Sequence, residues 1–283
     1  MDPKIVAILA CPKCSGDLSP VSGDAGQGPL SVGRGLRCRD CRAHYPEEDG
    51  ILRLMVDPST SVIREVEGLR RLERRILDED GEPSPETVRS LPWRFQVPLP
   101  PSYWSSPYWV VVSANFDKVV GELALRGGEV ILDLGTGIGW TSSRLASAGC
   151  CVLAADISDS RLTGLRGAQF FFGEGLRFDR AIFDFSGPFP LRDRSVDIVV
   201  SSATLHHSRS LPTTISQIHR VLRPGGRLAI ASETTAGLLR DNSKFGVDVA
   251  DLDGEEHVYS YLHWIGVLRR AHFRCRGRLS GGR

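Results

Sequence analysis

From residue 129 onward the chain alternates short apolar runs with segments of helical periodicity. Val130-Ile131-Leu132 and Val152-Leu153-Ala154-Ala155 are continuous apolar runs bounded by turn residues, as strands buried on both faces require. Ile198-Val199-Val200 and Leu228-Ala229-Ile230 repeat the pattern. Such alternation predicts an α/β fold, a Rossmann-like, doubly wound and mostly parallel sheet. Upstream the pattern changes. Between Ser61 and Leu77, Val62, Ile63, Val66, Leu69, Leu72 and Ile76 recur at helical spacing among arginines and glutamates. They predict an amphipathic helix packed on a neighbour, which Asp80-Gly81-Glu82-Pro83-Ser84-Pro85 ends. Trp93, Phe95, Tyr103, Trp104, Tyr108 and Trp109 then stand among prolines. A loop this aromatic either packs on a domain or covers a ligand. Three regions follow: 1–56, rich in cysteine, glycine and turn residues; 57–128, a helical and aromatic linker or lid; and the α/β domain, 129–283.

Charge narrows the function classes. Lys and Arg number 35 against 34 Asp and Glu, a net charge of +1, which argues against a whole-protein grip on nucleic acid and leaves room for a local patch. No apolar run approaches the roughly 18–20 residues of a membrane span, and no membrane partner is expected. The stretch Met1–Ala10 is too short and too weakly basic for a signal peptide. The spacing of the 7 cysteines points to metal in a reducing compartment. A cytoplasmic protein is the expectation.

Cys11-Pro12-Lys13-Cys14 and Cys38-Arg39-Asp40-Cys41 are two CxxC pairs with 23 residues between them. Two such turns converge four thiolates on one ion, a closed tetrahedral zinc site with no open position for chemistry. So small a region buries little core, and the zinc would supply folding energy. His44 is a possible substitute ligand that four cysteines make unnecessary. Cys150, Cys151 and Cys275 sit in apolar or strand-like settings and read as packed thiols. Together with Ile8-Leu9-Ala10 ahead of the first pair and Tyr45-Pro46-Glu47-Glu48-Asp49-Gly50-Ile51-Leu52 after the second, the region resembles the short zinc-ribbon activators of tRNA and protein methyltransferases. That resemblance implies a ribbon covering an apolar surface of a catalytic partner, here fused in cis.

The second signal is Asp133-Leu134-Gly135-Thr136-Gly137-Ile138-Gly139-Trp140, a strand end, a glycine turn and a helix start. Glycines let backbone approach a ligand. A dinucleotide fingerprint wants a glycine where Trp140 stands, so the loop suits a nucleoside without a pyrophosphate. About 20 residues on, a second strand ends in Asp156, the spacing at which an acid accepts ribose hydroxyls.

With Ala181-Ile182-Phe183-Asp184-Phe185, Ser201-Ser202-Ala203-Thr204-Leu205-His206-His207 and Val221-Leu222-Arg223-Pro224-Gly225-Gly226-Arg227 added, the region from about 115 to 273 resembles class I S-adenosylmethionine (SAM) methyltransferases. It is closest to the small-molecule group that includes quinone-ring C-methylating enzymes. The resemblance implies SAM as cofactor, with Asp133, Gly135, Thr136 and Gly137 near its methionyl end. Asp156 would hold the ribose, Ile157 would pack on adenine, and Asp184 would accept the adenine amino hydrogens beside the Phe185 backbone. His206 follows strand four, where it orients or deprotonates an acceptor, or serves structure only. His257 is a weaker candidate. No Asn/Asp-Pro-Pro-aromatic motif follows strand four, which disfavours methylation of exocyclic amines. Ten residues follow Phe273, too few for the antiparallel hairpin that finishes such sheets, so a shortened sheet or an early stop is expected.

The acceptor implied is a small molecule. RNA is the alternative: Arg34, Arg37, Arg39 and Arg42 would contact phosphates, offset by Asp40, Glu47, Glu48 and Asp49. A third reading is a SAM-binding scaffold without catalysis.

Overall fold

The computed structural model describes residues 1–21, 34–90, 107–172, 176–235, 237–238 and 257–277. The chain opens with helix α1 (Pro3–Ile8), then β1 (Leu18–Val21), β2 (Gly35–Cys38), β3 (His44–Glu48) and β4 (Ile51–Arg53). Helices α2 (Thr60–Asp80), α3 (Pro85–Ser90) and α4 (Pro107–Leu123) lead into the alternating region. There β5 (Val130–Leu134), α5 (Trp140–Ser147), β6 (Cys151–Asp156), β7 (Asp179–Ile182) and β8 (Val196–Ser202) follow in turn. Helix α6 (Leu211–Val221), β9 (Leu222–Ala231) and α7 (Tyr261–Arg270) complete the order.

The described strands form one sheet, β1-β2-β3-β4-β7-β6-β5-β8-β9. Pairings from β4 to β9 are parallel, and those among β1 to β4 antiparallel. Strand β5 runs through the middle with every residue buried. Its continuous apolar character is the counterpart of helices on both faces. On one face α1, α6 and α7 supply Ile5, Ile8, Ile215, Ile218, Trp264 and Val267. On the other, α4, α5 and α2 supply Val112, Phe116, Leu145 and Ile76. Helix α2 covers the span predicted from periodicity, and among the described residues no helix is long and apolar enough to cross a membrane.

The structure redraws the expected boundaries at 56 and 128. No helix lies between β7 and β8, and α1 packs beside β6 on that face. Leu9 bridges Leu191 of the β7–β8 connection, and the Ala10 N–H donates to the Pro190 carbonyl at 3.0 Å. Strand β4 adds in parallel to β7, with Leu52 opposite Ala181 and the Leu54 N–H donating to the Ile182 carbonyl at 2.9 Å. Leu52 and Leu54 are buried. Residues 1–21 and 34–56 thus share an apolar core with the α/β region, because a helix and a strand end there would otherwise expose leucine and isoleucine. Helix α4, expected within a linker, belongs to the core on the opposite face of the sheet: Phe116 is fully buried and meets the Trp140 ring edge-on at 4.9 Å. Most of the aromatic segment lies outside the described residues, and Trp109, at its end, is buried against the core. Among the described residues the sheet ends at β9.

Candidate cofactor and catalytic site

The glycine loop leaves the end of β5 with φ values of 68° at Gly135, 53° at Gly137 and 88° at Gly139. Gly135 is required twice over, because a Cβ there would lie 2.0 Å from the Thr204 methyl. Thr204, just past β8, donates its hydroxyl to the Gly135 carbonyl at 3.1 Å, tying two strand ends together. Behind the loop, the Asp133 carboxylate accepts from the hydroxyls of Thr141 at 2.5 Å and Ser142 at 2.6 Å. The Thr136 hydroxyl meets the same two residues at 3.1 and 3.0 Å. Asp133 and Thr136 are almost completely enclosed. Their side chains thus pin the loop to the first turn of α5, and it is the loop backbone that they leave toward the cleft. Burial pushes the Asp133 carboxyl up, opposed by the hydroxyls around it.

Asp156 closes β6 and faces the loop. Its oxygens accept from the N–H groups of Gly137 at 2.8 Å and Ser158 at 3.0 Å. Burial raises its pKa to about 6 despite those bonds. A carboxylate has about four acceptor positions, so capacity remains for two ligand hydroxyls. Ile157, Asp184 and Phe185 line a cavity of about 10 Å3, room for roughly one water. Ser61, Val62 and Glu65 of α2 line the same cavity, with His207 and Arg209. Asp184 accepts from the Ser186 N–H at 2.7 Å and pairs with the Arg209 guanidinium. The Phe185 carbonyl accepts from the Thr214 hydroxyl at 3.0 Å. Neither Arg209 nor the approach of α2 was legible beforehand, since both depend on chain crossing the strand ends from elsewhere.

Past β8, a 3₁₀ turn over Leu205–His207 presents two histidines. The Glu233 carboxylate, two residues beyond β9, accepts from the N–H groups of Thr204 at 3.0 Å, Leu205 at 2.8 Å and His206 at 3.2 Å. It also lies 2.8 Å from His206 Nδ1. A carboxylate accepts, so Nδ1 carries the hydrogen and Nε2 is the basic nitrogen. Burial would push Glu233 up, but the imidazole and the backbone donors outweigh it and hold its carboxyl low. His207 lies with its ring 4.2 Å from that of His206 and its Nδ1 3.5 Å from Glu65. Burial, then the His206 charge, depress its pKa to about 3. His257 is brought beside the pair, its N–H donating to the His206 carbonyl at 3.0 Å. Glu233 was missed in the sequence, although its place after a parallel strand, like that of Asp156 and Asp184, was the available signal.

At the other end of the chain, the sulfurs of Cys11, Cys14, Cys38 and Cys41 all lie within 4.8 Å of one another. Cys11 and Cys41 are 3.6 Å apart, Cys14 and Cys38 3.5 Å. Tetrahedral zinc–thiolate bonds of ~2.3 Å place sulfurs ~3.8 Å apart, so the donor set fits that ion. The Tyr45 hydroxyl stands 3.0 Å from the Cys11 sulfur. His44 is not one of the converging groups. All seven cysteines are free thiols, and Cys150 is buried while Cys151 and Cys275 are half-buried.

Comparison with known proteins gives the class. Residues 132–230 match the family model described as a methyltransferase domain. The chain is 34% identical over 149 residues to 27-O-demethylrifamycin SV methyltransferase of Amycolatopsis mediterranei, covering 48% of this chain and 54% of that one. It is 38% identical over 163 residues to malonyl-[acyl-carrier protein] O-methyltransferase of Methylococcus capsulatus, covering 52% and 54%. The chain therefore spans about half the length of the curated relatives it matches. The solved structure of the [4+2]-cyclase SpnF superposes with a TM-score of 0.50 at 19% identity, covering 76% of this chain and 73% of that one. That likeness concerns the fold alone. Residues 132–230 are thus similar to a methyltransferase domain, within a doubly wound fold that a four-cysteine module extends at its β7 edge.

Proposed function

We propose that this protein transfers a methyl group from SAM to a small biosynthetic intermediate, with a structural zinc ion held by Cys11, Cys14, Cys38 and Cys41. The observation that carries the proposal is the convergence of the Gly135–Gly139 loop, Asp156, Asp184 and the His206–Glu233 pair at one edge of the sheet. Ligands of open α/β sheets bind at that edge. SAM supplies a methyl group already activated on a sulfonium, so the chain's task is to bind, orient and exclude water. Asp156 accepts the ribose hydroxyls, and Ile157 packs on the adenine. Asp184 accepts the adenine amino group once Arg209 yields it, and α2 draws back to widen the cavity. The loop backbone faces the methionyl end.

At a hydroxyl acceptor His206 Nε2 takes the proton as the oxygen attacks the methyl carbon, and Glu233 stabilises the imidazolium through Nδ1; a carboxylate acceptor is already ionised and needs no base. His207, held neutral, does not compete for that proton. The relatives named above as O-methyltransferases support oxygen as the accepting atom. Reduced thiols around the zinc accord with a cytoplasmic setting.

Calorimetric titration with SAM, followed by transfer of radiolabelled methyl from SAM into a fractionated lysate, tests the proposal. Micromolar binding and label in the small-molecule fraction are expected. Replacing Asp156 by Ala is expected to weaken SAM binding at least tenfold, the scale of a lost charged hydrogen bond. Unchanged affinity would remove the ribose assignment. Nuclease-sensitive label would transfer the activity to RNA.

A further inference from the structure

Helix α2 sorts its charges by face. Its inward glutamates are engaged: Glu65 lines the cofactor cavity, and Glu73 accepts from the N–H groups of Arg161 and Leu162 at 2.7 and 2.8 Å. Its five arginines, Arg64, Arg70, Arg71, Arg74 and Arg75, fall within about 140° of arc at 100° per residue, on the opposite side. Arg64, Arg70, Arg74 and Arg75 are exposed and Arg71 is half-buried. Glu67 and Asp78 are the acids of α2 that share this face, so five arginines stand against two carboxylates on a chain whose net charge is +1. Ile63 and Leu77, 45% and 40% exposed, lie on the same side. An arginine band with apolar side chains at its ends suits an acidic protein surface, with contact area beside the charge.

The placement of the band gives the partner a purpose. Ser61, Val62 and Glu65 form the inner side of the same helix and close the cofactor cavity. Whatever seats on the outer face therefore stands about one helix diameter, ~10 Å, from the cleft. Several relatives are malonyl-[acyl-carrier protein] O-methyltransferases, proteins named for an acyl group borne on a carrier. We propose that the arginine face of α2 docks an acidic acyl carrier domain, which delivers the methyl acceptor to the cleft as a tethered thioester.

This inference rests on the methyltransferase reading and specifies its substrate as carrier-bound. RNA fits the face less well. Helix α2 has no aromatic residue on which a base could stack, and Glu67 and Asp78 interrupt the track a phosphate backbone would follow. Docking on the helix also sets the partner against an element that lines the site, through Ser61, Val62 and Glu65. Arg70 of the same helix lies 3.8 Å from Asp159 on the loop after Asp156.

The test is a titration of malonyl-loaded acyl carrier protein into the full chain, at low and at physiological salt. The same titration is made with an Arg64→Glu, Arg74→Glu double variant and with its Arg64→Lys, Arg74→Lys counterpart. SAM affinity is measured on all three chains. The expected result is carrier binding that weakens with salt, falls at least tenfold in the glutamate variant and survives in the lysine variant, with SAM affinity the same throughout. Carrier binding that is absent, or equal in the glutamate variant, overturns the docking proposal while intact SAM binding leaves the methyltransferase reading standing. Failure of the wild-type chain to bind SAM overturns that reading instead. An RNA oligonucleotide that binds more tightly than the carrier, and loses affinity in the glutamate variant, assigns the face to RNA and overturns the proposal.

Discussion

Asp133 and Asp156 stand at the ends of neighbouring strands with the same side-chain chemistry, yet their surroundings give them different work. Asp133 is spent on the hydroxyls of Thr141 and Ser142, whereas Asp156 accepts from the loop backbone and keeps capacity for a ligand. Its carboxyl, raised to about 6, must be ionised to hold two hydroxyls well. SAM affinity is accordingly expected to fall as pH drops below about 6, approaching tenfold per unit, and isothermal titration on either side of that value checks it. Stability moves the opposite way for this group, since a raised native pKa favours the folded state under acid and loses that benefit as pH rises through about 6. His207 has the reverse sign. Its native pKa of about 3 lies below the ordinary 6.5, so its contribution is complete above 6.5 and is lost as pH falls toward 3. His207→Gln is expected to remove this component, leaving a melting temperature less sensitive to acid over that window, by about 1.4 kcal/mol per pH unit at most. Glu233→Gln separates positioning from binding. It is expected to reduce kcat by about 10²–10³ with SAM affinity unchanged, and to shift the acidic limb of the pH–rate profile by weakening the imidazolium. An unchanged profile would make Glu233 a cap of the 3₁₀ turn and nothing more.

Elements borrowed from the beginning of the chain complete the α/β sandwich. Helix α1 covers the face where the β7–β8 connection has no helix, and β4 covers the exposed edge of β7. Edge strands invite association, and a parallel neighbour removes that hazard here. Leu52 sits at this seam with no exposure. Leu52→Ala is expected to cost about 2–5 kcal/mol, measurable as a lower denaturant midpoint. The same strand reaches the cofactor loops, because Arg53 pairs with Asp159 at 2.9 Å, three residues past Asp156. Arg53→Met is therefore expected to weaken SAM binding several-fold with a small effect on stability, checked by titration and thermal melting together. Helix α2 illustrates how one element serves two surfaces, its inner face against the cavity and its outer face toward a partner.

For the whole molecule, the cysteine module and the α/β domain share one sheet and the apolar core on one of its faces. Removal of the metal should then be felt at a distance. Purified protein is expected to contain about one zinc per chain, and stripping it with a chelator is expected to lower the melting temperature and weaken SAM binding together. Loss of the metal with no change in SAM affinity would confine the module to local stability. A chain starting at residue 57 lacks Ile5, Ile8, Leu9, Leu52 and Leu54, all buried. It is expected to aggregate or lose near-ultraviolet circular dichroism, and not to behave as an independent enzyme.

The sequence by itself determined what depends on neighbours along the chain. The buried strands follow from continuous apolar runs, the glycine loop from the spacing of Gly135, Gly137 and Gly139, and the four-cysteine cluster from its CxxC spacing. The amphipathic span of α2 was legible for the same reason, since periodicity is a local property. Tertiary structure decided which strand ends and faces meet. Glu233 reaches His206 across 27 positions of sequence, and the charges of α2 acquire meaning once its inner face lies on the cavity. The partition at residue 56 failed because burial is shared among segments brought together by folding. A composition boundary marks where the pattern changes, while a domain boundary marks where apolar surface stops being buried by its neighbours. In this chain the two do not coincide.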